Sequence, residues 1–411
     1  MIQRWPAGGR RWLWRHAGTV CALSLALHPL TELGRGPRMF DLRVYQLAAP
    51  HLLTGDLYGF RLYESGPGMF PLPFTYPPFA AMVFLPLRTV PWLVLACAWQ
   101  LLSVVCLAVL VSGCLQLAGE PGWRDPRGRS RILLWTAGAL WAEPVHATLW
   151  FGQVNLILAA VAVLSIARRS ALGAGLGVGA AAGVKLTPAV TALYFLAHRR
   201  WSAACWSAAG LAATVAAAWW VAPQVSAQFW FHVLADTSRI GPVASATNQS
   251  LRGALSRTLG HDVGLTAPWW VAVSLAAVLA LAACVRSARR GDRLGVLVAV
   301  QLFGLLASPI SWCHHWVWCV AAMIALVHAP ARGRGHTVAL TAWAVALGSH
   351  VISWLVAAQP SIWTIPRPWY LVALGWVYPV CTVLTFSALV VPTPRRRQAL
   401  VERTAVAAPS E

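Results

Sequence analysis

Lysine is all but missing from this 411-residue chain: of its 32 basic residues 31 are Arg, and the one Lys is Lys185. Acidic residues are scarce too, at 12, and charges of both signs make up 11% of the chain. So few charges cannot solubilise a chain that is 58% hydrophobic, in which apolar runs near the length of a bilayer crossing recur from end to end. A net charge of +20 would suit nucleic acid, but the Arg residues stand in short clusters between apolar runs and build no basic groove. A nucleic-acid partner is thereby excluded. The nine cysteines show no C-x-x-C spacing, are odd in number and lie within or beside apolar segments. They read as packing residues, neither a disulfide framework nor a metal cluster.

The expected fold is an all-α polytopic membrane protein. Arg4, Arg10, Arg11 and Arg15 precede an apolar run ending near Leu30, and no small-x-small cleavage site follows it, so an uncleaved first helix is expected. Residues 31–90 are rich in Pro, Gly and mixed charge and read as a first large outer loop. Within it, 40–53 reads as a short surface helix and 77–87 as a re-entrant or interfacial segment too short to span. Apolar runs then cover 91–117, 132–150, 153–167, 171–184, 187–197, 203–222, 269–285, 294–307, 316–328, 337–357 and 370–391. With the first helix these make about twelve crossings in one integral membrane domain spanning 1–411. Several are short enough to suggest half-length helices around a cavity. The segments assigned inside hold 22 of the 32 basic residues, the positive-inside bias that makes both termini and the 392–411 tail cytoplasmic. Outward lie a second large loop, 223–268, and the turns 152–155, 185–188, 308–315 and 359–367, where the polar residues collect.

Polar groups at membrane level are costly, which makes them functional candidates. Asp41 starts a segment in which Asp41, Val44, Tyr45 and Ala48 share one helical face. Its carboxylate either caps that helix, acts as a base, or does both. Glu143 sits inside an apolar run, as a buried acid paired with Arg or backbone or as a substrate contact. Lys185, at a helix break, either snorkels or meets a phosphate as a point charge. His314 and His315 point in different directions on a helix; they form an interface pair, or one of them donates to a phosphate oxygen. No third ligand stands at metal spacing. Asn248 and Gln249 belong to a sequon-like triplet read as a polar loop end. Arg35, Arg38, Arg43 and Arg61 make the first loop basic where Arg should be rare, favouring an anionic lipid there. Trp312, Trp363 and Trp369 are belt residues by default and could stack on sugars.

FDLRVY at 40–45, FPLPFTYPPF at 70–79, GQVN at 152–155, GVKLTP at 183–188, NQS at 248–250, SPISWCHHW at 308–316, QPSIW at 359–363 and RPWY at 367–370 follow one another in order. Together they resemble the PimE family, the polyprenyl-phosphate-mannose-dependent α-1,2-mannosyltransferases of mycobacteria and related actinobacteria, which are GT-C class membrane glycosyltransferases. The likeness excludes only the two terminal tails. It implies a GT-C bundle, no cofactor, a polyprenyl-phosphate-mannose donor, a phosphatidylinositol mannoside acceptor, and a plasma-membrane site on the outer, periplasmic face. It puts the catalytic acid at Asp41, with the aromatic one residue nearer the acid than in the family pattern. Cys313 stands where the family has Thr. Donor phosphate is expected at Lys185, His314 and His315. Substrate contacts are expected from Arg43, Tyr45, Tyr76, Glu143, Gln153, Asn155, Asn248, Gln249, Trp312 and Trp363. Two rivals remain: a sister GT-C enzyme moving arabinofuranose or branching a lipomannan, and a glycolipid flippase. Against the flippase, the chain has no internal repeat.

Overall fold

The computed structural model describes residues 12–32, 39–63, 71–330, 332–359, 361 and 365–391. Helices follow the apolar runs: α1 (Ala17–Leu27), α2 (Phe40–Ala48), α3 (Pro78–Phe84), α4 (Trp92–Leu117), α5 (Pro126–Ala139), α6 (Glu143–Phe151), α7 (Asn155–Ala167), α8 (Ala171–Val184), α9 (Ala192–Ala197) and α10 (Trp201–Val221). The second half holds α11 (Leu251–Leu259), α12 (Ala267–Arg289), α13 (Arg293–Ala307), α14 (Cys319–His328), α15 (Arg334–Gly348), α16 (Val351–Ala358), α17 (Trp369–Leu374) and α18 (Val377–Val390).

Helix starts are fixed chemically. Asp125, Ser170, Ser250 and Asp292 each accept a hydrogen bond from the first-turn backbone of α5, α8, α11 and α13. Among the described residues three helices, α4, α10 and α12, are long and apolar enough to cross a membrane, and counting the bent pairs α6–α7 and α15–α16 as one span each gives five. The other apolar helices are shorter, so the run at 132–150 is not one element. It breaks at 140–142 ahead of Pro144, where a fixed ring suits a new first turn. The α6–α7 pair is bent by 116°.

Two apolar clusters result. The larger fills the bundle; the smaller joins Met39, Leu42 and Tyr45 of the first loop to Phe74, Phe84 and Trp99. The short helix expected at 40–53 packs down through the face that Val44, Tyr45 and Ala48 share, and Leu42 is buried with them. α8 and α10 meet backbone to backbone, and a Cβ on Gly179 would lie 2.6 Å from the Ser207 carbonyl oxygen. Strands Arg61–Leu62 and Leu72–Pro73 pair antiparallel, with Leu62 opposite Leu72, and tie off the first loop.

Candidate functional site

The sharp turn between α6 and α7 is the foundation. Gly152 sits at φ +69, and a Cβ there would come 2.8 Å from Leu42 Cβ. The Met39 N–H donates to the Trp150 carbonyl at 3.0 Å, docking the start of α2 on the end of α6. Gly152→Ala should therefore cost both backbone strain and close packing, about 1–3 kcal/mol of stability. Thermal unfolding of the two proteins checks it.

The docking brings Gln153 under Asp41. Gln153 Oε1 accepts from Tyr45 at 3.2 Å and from Tyr76 at 3.0 Å, and the two tyrosine hydroxyls are 2.9 Å apart. With its carbonyl so engaged, the amide NH2 of Gln153 faces the Asp41 carboxylate and hydrogen-bonds to it. Asp41 is not the cap of α2. Met39 holds that position in a left-handed conformation, and Asp41 lies within the first turn. Burial pushes its carboxyl up to about 6, against the Gln153 hydrogen bond and the Lys185 charge.

Lys185 ends α8 in extended backbone, which turns its side chain from the helix into the same centre. Its ammonium group donates to Asn155 Oδ1 at 2.8 Å, His315 Nε2 at 3.1 Å and Tyr76 Oη at 3.5 Å. All three hydrogens have partners, so the ammonium is held as a fixed point charge. Burial pushes it down to about 7, with Asp41 pulling the other way. Because His315 Nε2 accepts, its proton is on Nδ1, a buried atom with no partner among the described residues. Burial and the Lys185 charge keep this imidazole neutral.

A cavity of about 280 Å3 begins at His315 and Asn155 and runs between Leu158, Ala162, Leu305 and Trp318. His314 does not line it. That ring packs edge-on to Phe151, while its carbonyl accepts from Thr148 at 2.9 Å and Asn155 at 2.7 Å. Thr148, which sequence reasoning missed, thus fixes the backbone from which His315 projects.

Other expected contacts lie apart from this centre, with their polar atoms spent on the fold. Glu143 accepts from the Ile352 and Ser353 N–H groups, the Ser353 hydroxyl and Tyr378, stapling α6 to the first turn of α16. Its partners are backbone and hydroxyls, so the structure gives it a joint and not an open ligand face. Asn248 accepts from Ser311 N–H at 2.9 Å and donates to the Val243 carbonyl, while Gln249 N–H donates to Ser311 and its side chain accepts from Tyr378 N–H. The triplet expected as a polar loop end is fully buried and clasps the turn that carries His315; an isolated bridge pairs Asn248 with Trp312. Arg43 points away from Asp41 and stacks on Trp92 at 3.8 Å. Trp312 is half-buried, Trp369 is exposed, and Trp363 lies outside the described residues.

The remaining acids whose side chains are described are engaged or exposed. Glu120 holds Arg131 and His328, Asp262 holds Arg252, Asp125 and Asp292 cap helices, Asp236 binds Ser238, and Asp56 faces solvent. Among them Asp41 alone shares a partly buried centre with Lys185.

A carboxylate and an ammonium group gathered at helix ends, in a helical chain with spans apolar enough to cross a membrane, are what a helical membrane-embedded enzyme would need. A family model described as glycosyltransferase family 87 matches residues 74–309, and the chain belongs to that family. It is 44% identical over 86% of its length, and 81% of the relative's, to a Mycobacterium tuberculosis protein named polyprenol-phosphate-mannose-dependent alpha-(1-2)-phosphatidylinositol pentamannoside mannosyltransferase. The protein of that name from Mycolicibacterium smegmatis is 42% identical over 86% of this chain and 85% of its own. A second M. tuberculosis protein, named for a phosphatidylinositol mannoside acceptor without a stated mannose number, is 35% identical over 77% of each chain. No solved structure matches the chain significantly.

Proposed function

We propose that the protein moves mannose from polyprenyl-phosphate-mannose to a phosphatidylinositol mannoside, forming an α-1,2 bond with inversion at the outer, periplasmic face of the plasma membrane. About twelve crossings, some made by paired short helices, would keep both termini cytoplasmic. The observation that carries this reading is the connected centre Asp41–Gln153–Tyr76–Lys185–His315 at the head of an apolar cavity. Relatives named for the pentamannoside share more of the sequence than the relative named for a mannoside of unstated length, which favours the longer acceptor.

The chemistry needs one displacement. The acceptor 2-hydroxyl oxygen bonds to the mannose anomeric carbon from the face opposite the phosphate, and its proton passes to Asp41. The carbon–oxygen bond to phosphate breaks, its electron pair leaving with the carrier phosphate. Lys185 and the Nδ1–H of His315 stabilise that charge. The cavity below His315 receives the first apolar units of the carrier. Tyr45, Tyr76, Gln153 and Asn155 hold the two ionic groups in place.

Purified protein in nanodiscs, given labelled polyprenyl-phosphate-mannose and phosphatidylinositol mannosides, tests this. A product cleaved by an α-1,2-specific mannosidase is expected. Transfer of another sugar, or movement of glycolipid across the bilayer without transfer, would overturn the reading.

The pH profile follows from the two shifted groups. The base must be ionised, so kcat/KM should fall as pH drops below about 6. The ammonium must be charged, so it should fall again above about 7. A bound phosphodiester stabilises the ammonium, so the alkaline limb of kcat should lie higher than that of kcat/KM. Initial rates across pH at low and saturating donor check both limbs.

A further inference from the structure

A second cationic centre stands outside the one just described, at the junction of the two long loops. Arg61, on the short strand of the first loop, donates from Nη1 to the carbonyls of Tyr58 at 2.9 Å and Phe60 at 2.8 Å. Arg239, in the 3-10 turn Thr237–Arg239 of the second loop, reaches the same Tyr58 carbonyl from Nη2 at 2.6 Å. Two guanidinium groups thus converge on one oxygen, which Arg239 reaches across 181 residues of sequence. Like charges this close repel, and burial together with the Arg61 charge holds the Arg239 guanidinium below its usual range.

Among the described residues neither guanidinium forms an ion pair. The nearby Asp236 carboxylate is turned to the N–H and hydroxyl of Ser238. Arg239 Nε is buried with no partner, and Arg61 engages only carbonyls through one of its nitrogens. A pair of planar donor forks with unspent N–H groups matches a tetrahedral oxyanion.

The pair is joined to the reaction centre through one side chain. Tyr58 offers its carbonyl to the two Arg residues, while its hydroxyl donates to the Tyr76 carbonyl at 2.9 Å. Tyr76 in turn takes a hydrogen bond from Lys185. Two cation sites therefore flank the Tyr58–Tyr76 segment. Resting on the proposed function, both substrates are phosphodiesters, one on the carrier and one in the inositol phospholipid. We infer that Arg61 and Arg239 bind the phosphodiester of the acceptor glycolipid, leaving Lys185 and His315 to the carrier phosphate.

Equilibrium binding to the full chain in neutral-lipid nanodiscs tests this without reference to turnover. The probes are a phosphatidylinositol mannoside, a water-soluble mannoside without phosphate, and polyprenyl-phosphate-mannose. For the double variant Arg61→Gln with Arg239→Gln, the acceptor Kd should rise about tenfold or more, the scale of a charge-assisted phosphate contact. The Kd values for the phosphate-free mannoside and the donor should stay as in the unmutated protein. An unchanged acceptor Kd, or an equal rise for the phosphate-free mannoside, would overturn the assignment. So would a tighter hold on bulk anionic lipid than on the acceptor, the sign of a surface-lipid site. If the double variant does not fold, Arg61→Gln alone, at a half-buried position, gives the same comparison. Failure of mannose transfer by the unmutated protein would count against the proposed function, whereas these binding outcomes bear on the Arg pair.

Discussion

Changing Asp41 to Asn should lower mannose transfer roughly a thousandfold, within the range expected when a positioned general base is removed. The substitution keeps the side chain's shape. Asn can still turn its carbonyl to the Gln153 amide, so the contact that seats α2 on the α6–α7 turn persists. What it loses is the capacity to take a proton from the attacking hydroxyl. Donor affinity, which the proposed mechanism assigns to Lys185 and His315, should change little. Steady-state transfer with purified protein, beside an equilibrium measurement of donor binding, separates the two effects. A parallel loss of donor binding would point instead to collapse of the centre.

Lys185→Met should be nearly as damaging, by about a hundredfold or more, because it removes fixed positive charge from the place where, on the proposed mechanism, the leaving phosphate gathers negative charge. It also leaves Asn155 Oδ1 and His315 Nε2 without their shared donor. His315 could then exchange tautomers and turn Nδ1 from donor to acceptor. Lys185→Arg should not restore activity. The ammonium fits three partners around a single nitrogen in a buried site, and a planar guanidinium cannot reproduce that arrangement. Donor binding and kcat measured for both variants check this: both should fall for Met, and Arg should recover neither.

The sequence made parts of this centre plain. Lys185 is conspicuous because a chain that avoids Lys places its single one at a helix break, and Asp41 because acids are so few. The apolar runs marked most helices, since burial in lipid or in a helical core selects the same residues. What stayed hidden was direction. Glu143, Asn248 and Gln249 are polar residues in apolar surroundings, and composition does not tell whether such a group meets a ligand or another helix's backbone. Here it is backbone, at the start of α16 and along the turn before His315. Tyr45 and Gln153 were legible as site residues, yet their arrangement depends on a contact between positions 108 apart. Arg239 gave no signal, because its partner carbonyl lies in a different loop.

On the proposed mechanism the Asp41 carboxylate receives the acceptor's proton in the transfer step. A single-turnover reaction tests it most directly, with enzyme in excess over labelled polyprenyl-phosphate-mannose and acceptor saturating, so that product release plays no part in the rate. For the Asp41→Asn protein, label should stay bound as intact donor while the unmutated protein converts it within the same interval. Conversion by the variant at the unmutated rate would contradict it.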